Sequence, residues 1–240
     1  MLPYIFLFIL GIILGSFYNV VATRIPNGES IIKPGSHCTN CYHELKWYEL
    51  IPLVSYIIQR GKCRKCYKKL SIWYFLSELF TGLSFAFSYY LYGFDLMTIK
   101  SCILVSIVMI TIISDVSYMV ILDSPIIIGT ILLMIVDYFI GGFNLVLVNT
   151  FHGLMMFLIV LVIKLLGDKV FKQESLGWGD VKLCSVCALS FGFSFLSYFR
   201  YSLVLGGLFA CIALWSGHVK KQTRIPFAPW ISMTILLLFL

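Results

Sequence analysis

Apolar positions along the chain run almost unbroken for about 20 residues at a time, the length an α-helix needs to cross a bilayer. Eight such stretches fall at roughly 2–22, 73–93, 97–117, 124–142, 145–166, 180–197, 200–217 and 225–240, separated by short polar segments. They are too long and too uniformly apolar for the alternating strands of a membrane barrel. The pattern therefore predicts an all-α polytopic membrane protein with about eight transmembrane helices. One polar segment is far longer than the others and divides the chain into a first helix at 1–22, a loop domain at 23–72 and a seven-helix core at 73–240. No basic residue precedes the first apolar run and no small-residue cleavage site follows it, so it reads as a retained span rather than a signal peptide.

Composition removes the competing classes. Charged residues make up 12% of the 240 and hydrophobic residues 60%, whereas an ordinary soluble domain carries about 25% charged residues. A soluble fold would expose enough apolar area to aggregate, and disorder requires the opposite composition. The formal net charge of +7 would suggest nucleic acid in a soluble protein. In a membrane protein it marks topology, because Lys and Arg collect in cytoplasmic loops. With eight spans, the loops near 23–72, 167–180 and 218–224 share one side and, with their flanks, hold every Lys and Arg except Lys100 and Arg200. This places the long loop in the cytosol and both termini outside, with the lipid bilayer rather than nucleic acid as the partner. No internal repeat or low-complexity segment stands out.

The eight cysteines fall into two groups. Cys102, Cys184, Cys187 and Cys211 lie in apolar stretches, and the three-residue step from Cys184 to Cys187 reads as helix packing. The others form Cys38-Thr39-Asn40-Cys41 and Cys63-Arg64-Lys65-Cys66, with 21 residues between the pairs. Two such pairs match the spacing of a structural zinc site, slightly beyond its commonest range. A tetrahedral ion takes four thiolates, and each two-residue gap lets the chain turn back over the metal. The loop has too few apolar residues for its own core, so a metal stands in for one. Disulfides and thiol redox chemistry are the competing readings, and a cytosolic loop disfavours disulfides. Four protein ligands leave no open position, so the expected zinc is structural. His37 and His43 lie nearby and could substitute as ligands, but read more simply as ordinary loop histidines.

Five acidic residues fall within or at the margins of the spans: Glu78, Asp115, Asp123, Asp137 and Asp180. Carboxylates there are expensive and are candidates for function. The third span runs inward and ends near Asp115, while the sixth runs outward and starts at Asp180. Two carboxylates remote in sequence therefore share a depth at the cytosolic edge, with Asp123 at the same level. Asp137, near the outer edge, is explained by snorkelling, and Glu78 equally well by buried hydrogen bonding. Asp180 stands in Gly177-Trp178-Gly179-Asp180-Val181-Lys182, where the glycines allow close backbone approach, as an extended peptide substrate requires. A turn with Asp180 as helix N-cap is the plainer alternative. Two neighbouring carboxylates share one proton, the arrangement that hydrolyses peptides: one takes a proton from water and the other donates to the carbonyl oxygen. The proton belongs to the pair rather than to either residue. Neither a histidine-assisted nucleophile nor a paired-histidine zinc-protease motif competes.

Jointly these residues resemble the type IV prepilin peptidases, prepilin leader peptidase/N-methyltransferases. Gly15-Ser16-Phe17-Tyr18-Asn19-Val20-Val21 with Arg24-Ile25-Pro26 resembles the opening motif of that family, and Cys38 to Cys66, with Leu45-Lys46-Trp47-Tyr48-Glu49 and Ile51-Pro52-Leu53, its zinc loop. Asp115, eight residues before Asp123, resembles the first catalytic aspartate motif; Gly177 to Leu183 the second; Ile225-Pro226-Phe227-Ala228-Pro229 the last-span motif. Leu122, Thr39 and Ala228 depart from the pattern, where Pro, Pro and Gly are usual, and none removes a reacting group. The resemblance implies a bacterial cell-membrane enzyme that cuts the short basic leader from prepilin, pseudopilin or competence-type substrates after a glycine. Asp115 and Asp180 would be catalytic, and Gly177, Gly179, Asp123 and Lys182 supporting. It also implies methylation of the new amino group by S-adenosylmethionine; the residues that would bind that cofactor are not identified by the sequence, and the zinc loop with its acidic Glu49 is the place to look for them. No glycine fingerprint of a methyltransferase is present. A non-enzymatic scaffold that docks partners through the zinc loop is the alternative, and a proton-coupled transporter a third reading. Against the transporter, the acids sit at one edge and no inverted repeat is evident.

Overall fold

The computed structural model describes residues 1–172, 174–192, 194–215 and 228–231. Its helices are α1 (Leu2–Arg24), α2 (Val54–Ile58), α3 (Ile72–Tyr92), α4 (Leu96–Tyr118), α5 (Asp123–Phe171), α6 (Trp178–Phe191) and α7 (Ser194–Trp215). Extended pairing among the described residues is confined to two isolated bridges, His37 with Glu44 and Lys62 with Lys69. Among the described residues three helices, Leu2–Asn27, Leu96–Tyr118 and Asp123–Val170, are long and apolar enough to cross a membrane. The chain is a mostly helical membrane protein. The expected last span, 225–240, lies outside the described residues except for the helical turn at 228–231.

A straight helix of 49 residues, the length of α5, would extend about 70 Å, more than twice the roughly 30 Å hydrocarbon core. It does not run straight. Gly141 (φ −140°, ψ 18°) and Gly142 (φ 67°, ψ −166°) leave helical geometry, and a positive φ is accessible to Gly at little cost. Asn149 Nδ2 donates to Asp137 Oδ2 at 2.8 Å, though in an unbroken helix the two residues would be about 18 Å apart along the axis. The two arms therefore fold back on each other, reproducing the separate stretches expected at 124–142 and 145–166. The same bond corrects the reading of Asp137: it is fully buried against Asn149 rather than snorkelling, because the hairpin supplies a polar partner inside the fold.

A second difference concerns the stretch expected at 180–197. Helix α6 has 14 residues, about 21 Å and short of a bilayer crossing. It ends at Gly192, at φ 63°, whose N–H reaches Ala188 O at 2.7 Å, and α7 begins at Ser194. Hydropathy runs smoothly through this break, and only the glycine marks it.

The chain forms two compact units, Met1–Ile113 and Ser114–Leu240, and the expected divisions at 22/23 and 72/73 both fall inside the first. There α1 packs on α3 with small residues at the contact: a Cβ on Gly11 would lie 2.8 Å from Gly82 Cα, and one on Gly15 would lie 3.0 Å from Glu78 Cα. Close backbone approach of this kind is how helices associate where lipid supplies no hydrophobic drive. Asn19 and Ser77 add a buried hydrogen bond of 2.8 Å between them, Tyr18 OH donates to Ser106 Oγ of α4 at 2.6 Å, and Ser88 meets Ser101 at 2.7 Å. A Gly11→Val side chain has nowhere to go. We expect it to destabilise the purified protein by about 1–3 kcal/mol, read as a drop of several degrees in a thermal-shift assay in detergent. An unchanged midpoint would mean that α1 and α3 part without cost.

In the second unit α6 packs on α5, and its core includes Val181, Leu183, Cys184, Val186, Cys187, Ala188 and Leu189. Cys184 and Cys187 are fully buried there, the packing role expected for them. The side chain of Cys211 lies outside the described residues.

Candidate active site and metal centre

The cytosol-type loop expected at 23–72 is built on two turns of identical construction. In the first, Cys38 N–H donates to His43 O at 2.9 Å, Tyr42 N–H to Cys38 O at 2.9 Å, and Leu45 N–H to Ser36 O at 2.8 Å. In the second, Cys63 N–H donates to Lys68 O at 3.0 Å, Tyr67 N–H to Cys63 O at 2.9 Å, and Leu70 N–H to Gly61 O at 2.8 Å. Tyr42 and Tyr67, each following the second cysteine of its pair, take left-handed φ values of 55° and 56°. The sequence carries this repeat as Ser36-His37-Cys38-Thr39-Asn40-Cys41-Tyr42-His43-Glu44-Leu45 and Gly61-Lys62-Cys63-Arg64-Lys65-Cys66-Tyr67-Lys68-Lys69-Leu70. The expectation that no internal repeat stands out is thus corrected. Only the cysteines, tyrosine and leucine are held in common, too few for a similarity of residue type to reveal the shared backbone.

The turns bring the four Sγ atoms within 4.8 Å of one another, with Cys38 to Cys66 at 3.8 Å and Cys41 to Cys63 at 3.9 Å. A tetrahedral zinc with Zn–S bonds of about 2.3 Å spaces its sulfurs about 3.8 Å apart, so Cys38, Cys41, Cys63 and Cys66 fit such an ion. All four are free thiols. Backbone N–H groups of Asn40 and Cys41 hold the Cys38 thiol below its ordinary value, and that of Lys68 pulls Cys66 down to about 6. Both favour the thiolate that a metal needs, whereas at Cys41 the lowering His43 N–H is outweighed by burial and the neighbouring sulfurs, which push the thiol up to about 11.

Glu49 is buried between the turns, its side chain 2% exposed. Oε2 accepts the Lys46 N–H at 2.9 Å and lies 3.5 Å from His43 Nε2, while Oε1 lies 3.9 Å from Arg64 Nε. It therefore bridges a residue beside Cys41 to one beside Cys63. His37 stacks on Tyr42 at 5.8 Å between centroids, and neither histidine joins the sulfur cluster. The loop is also fastened to the helices: Leu53, at φ 60° and ψ −51°, donates its N–H to Glu78 Oε2 at 2.8 Å. Glu78 is buried and takes a second hydrogen bond from Ser16, the hydrogen-bonding reading of that residue.

Asp115, Asp123, Asp180 and Lys182 all belong to the second unit. Asp115 is on the last turn of α4, which closes when Met119, at φ 56°, donates to Asp115 O at 2.9 Å. Its Oδ2 accepts the Ala228 N–H at 3.0 Å, bringing the last-span motif onto the carboxylate. Asp180 is the third residue of α6, and its Oδ2 accepts the N–H of Gly177, the N-cap, at 3.2 Å. It is a capping residue from inside the helix rather than the N-cap itself. Asp115 and Asp180 are both buried, 7% and 8% exposed, and within electrostatic reach of each other.

The two glycines serve this geometry directly. A Cβ on Gly177 would lie 3.0 Å from Asp180 Oδ2, and one on Gly179 would overlap the Ile121 side chain. The close approach read from the sequence as room for substrate is here taken up by the protein's own atoms. Lys182 Nζ meets Asp123 Oδ1 at 2.7 Å, tying the start of α5 to α6. Both are substantially exposed, so the pair contributes at most about 1 kcal/mol. Two residues on from Asp180, Lys182 projects from the far side of the helix, so this pair stands apart from the two buried aspartates.

In the sequence Lys164 is one more basic charge on the flank of the 167–180 loop. Its Nζ donates to Leu176 O at 2.6 Å and sits beside the segment that carries Asp180. The i, i+4 spacing offers Asp168 as its ion-pair partner, but its contacts with a carbonyl and a ring face follow from no spacing rule.

Two family models cover most of the chain: Bacterial Peptidase A24 N-terminal domain over residues 9–92, and Type IV leader peptidase family over residues 102–217. A curated relative from Bacillus subtilis (strain 168), named Prepilin leader peptidase/N-methyltransferase, is 31% identical over 98% of this chain and 92% of its own length. Relatives of the same name from Neisseria gonorrhoeae and Myxococcus xanthus (strain DK1622) are 30% identical (96% of this chain, 88% of theirs) and 35% identical (76% and 54%). No solved structure matches the chain. Taken with the cysteine turns and the buried aspartates, these matches establish that the chain belongs to the type IV leader peptidase family and is an enzyme with peptidase activity.

Proposed function

We propose that this protein is a membrane aspartyl endopeptidase that removes the basic leader from type IV prepilin-like proteins at the cytosolic face, with Asp115 and Asp180 as its catalytic pair. The observation that carries the reading is the meeting of these two buried carboxylates from α4 and α6 within one unit. Sharing one proton, the ionised member takes a proton from a water molecule as it attacks the scissile carbonyl. The protonated member donates to the carbonyl oxygen and, as the intermediate collapses, a proton passes to the leaving amine. The Ala228 and Gly177 N–H groups fix one oxygen of each carboxylate.

In this reading both termini lie outside and the 23–72 loop faces the cytosol. The substrate presents a basic leader followed by a hydrophobic helix. Cys38, Cys41, Cys63 and Cys66 would hold one zinc, which supplies rigidity to a loop without an apolar core. The relatives' name carries N-methyltransferase, and we infer that methylation of the new N-terminus follows cleavage. The surroundings of Glu49 do not fit S-adenosylmethionine: both carboxylate oxygens are engaged and the side chain is 2% exposed. No step is routed through that cofactor, and Glu49 is read as the fastener of the metal loop.

The test is full-length protein in lipid, incubated with a prepilin-like substrate and a labelled methyl donor, with cleavage and label transfer scored separately. A product shortened by its leader is expected. Intact substrate, under conditions where a relative cuts it, would refute the peptidase assignment. Gly179→Ala is expected to lower kcat at least about tenfold, because a Cβ there displaces α6 from Ile121 and with it Asp180. Wild-type kcat in that variant would show that the approach is not needed.

A further inference from the structure

Gly177 and Gly179 leave the approach to Asp180 without side chains that could hold it, and a glycine-rich segment costs the most backbone entropy to fix. The restraint comes from α5. Lys164 is 3% exposed along its side chain, a place where an ammonium is tolerated only when its donors are used. Nζ donates to Leu176 O at 2.6 Å and lies 3.1 Å from Asp168 Oδ2, one turn further on. It also sits 5.5 Å from the centroid of the Trp178 ring, inside the roughly 6 Å reach of a cation–π contact. Asp168 Oδ1 in turn accepts the Ser175 N–H at 2.6 Å and lies 2.8 Å from Ser175 Oγ, whose one proton is shared with Lys164 O at 3.2 Å. A Cβ on Gly167 would lie 2.5 Å from that hydroxyl, so the helix surface is shaped to receive Ser175. One lysine and one aspartate thus hold residues 175, 176 and 178, on both sides of the Gly177 N-cap. The Lys164 charge also attracts the Asp180 carboxylate.

We propose that Lys164 is a positioning residue for the peptidase reaction, clamping the Ser175–Trp178 segment to α5 so that Asp180 is held in place against Asp115. The inference rests on the catalytic assignment of Asp115 and Asp180. Buried beneath the segment it holds, Lys164 does not grip substrate, so its loss lowers turnover rather than binding. A misplacement of about 1 Å at a reacting group costs on the order of a hundredfold.

The decisive measurement is steady-state cleavage of a prepilin-like substrate by full-length Lys164→Met in detergent–lipid micelles, beside wild type, Asp115→Asn and Asp180→Asn. For Lys164→Met with a wild-type elution profile, the expected result is kcat down at least about tenfold with KM within about twofold. A smaller loss of kcat, or a loss confined to KM, overturns the proposal. Should Lys164→Met not elute as folded protein, Asp168→Asn with Ser175→Ala, which cuts the same clamp from its exposed side, is read against the same thresholds. If Asp115→Asn and Asp180→Asn cleave normally, the catalytic assignment falls and this inference with it. If they are inert while the clamp variants turn over normally, Lys164 alone is wrong.

Discussion

Asp115→Asn and Asp180→Asn are each expected to lower prepilin cleavage by about a thousandfold while the protein still inserts and holds its metal. General acid–base groups contribute 10²–10⁴ in rate, and an amide in place of either carboxylate removes the proton the pair must share. Asn is nearly isosteric with Asp, and its side-chain oxygen can still accept the Ala228 or Gly177 N–H that each aspartate takes now. The folded state is therefore largely retained, and the loss falls on turnover. The assay is mass-spectrometric detection of the shortened substrate, with thermal unfolding as the control for folding. Cleavage at the wild-type rate by either single variant would exclude a shared-proton pair.

Replacing Cys63 by Ser, or exposing the protein to a strong chelator, is expected to abolish metal binding and unfold the 23–72 loop. Cys63 Sγ is buried within the sulfur cluster, and Ser cannot replace a thiolate at neutral pH. Apparent binding free energies of structural zinc reach about 10–16 kcal/mol, larger than the stability of most small domains, so the loop has no comparable reserve once the ion is gone. Elemental analysis should fall from one zinc per chain to almost none. Trypsin should then cut faster among Arg60, Lys62, Arg64, Lys65, Lys68 and Lys69, which are exposed but whose backbone the hydrogen-bonded turns keep from the extended form a protease needs. Full protease resistance in a metal-free variant would mean that the Glu49 bridge and the Leu53–Glu78 bond suffice without the ion.

Much of this was legible in the residue order because it depends on short-range rules. Helix length follows from apolar run length, so α1, α3, α4 and the two arms of α5 fall close to their expected places. The cysteine spacing named the four sulfurs that the fold gathers. Other features escaped. The break after α6 is a single glycine in an apolar run, and hydropathy averages over it. The twofold construction of the metal loop rests on backbone hydrogen bonds that dissimilar residues make equally well. Asp137 was misread because its partner Asn149 becomes a neighbour only when α5 folds back. For Lys164 only the i, i+4 pair with Asp168 is visible in the sequence; its carbonyl and aromatic-face partners leave no mark there.

Residue order alone decided the helical membrane class and the sulfur set, because each is written in composition or in spacings of a few residues, and it singled out Asp115 and Asp180 as candidate acids. Three-dimensional packing alone decided that Asp115 and Asp180 stand within reach of each other, that Gly179 makes room for Ile121, and that Glu49 is spent between the turns. Those facts are distances between atoms up to tens of residues apart, and a chain acquires such distances only when its helices have closed on one another.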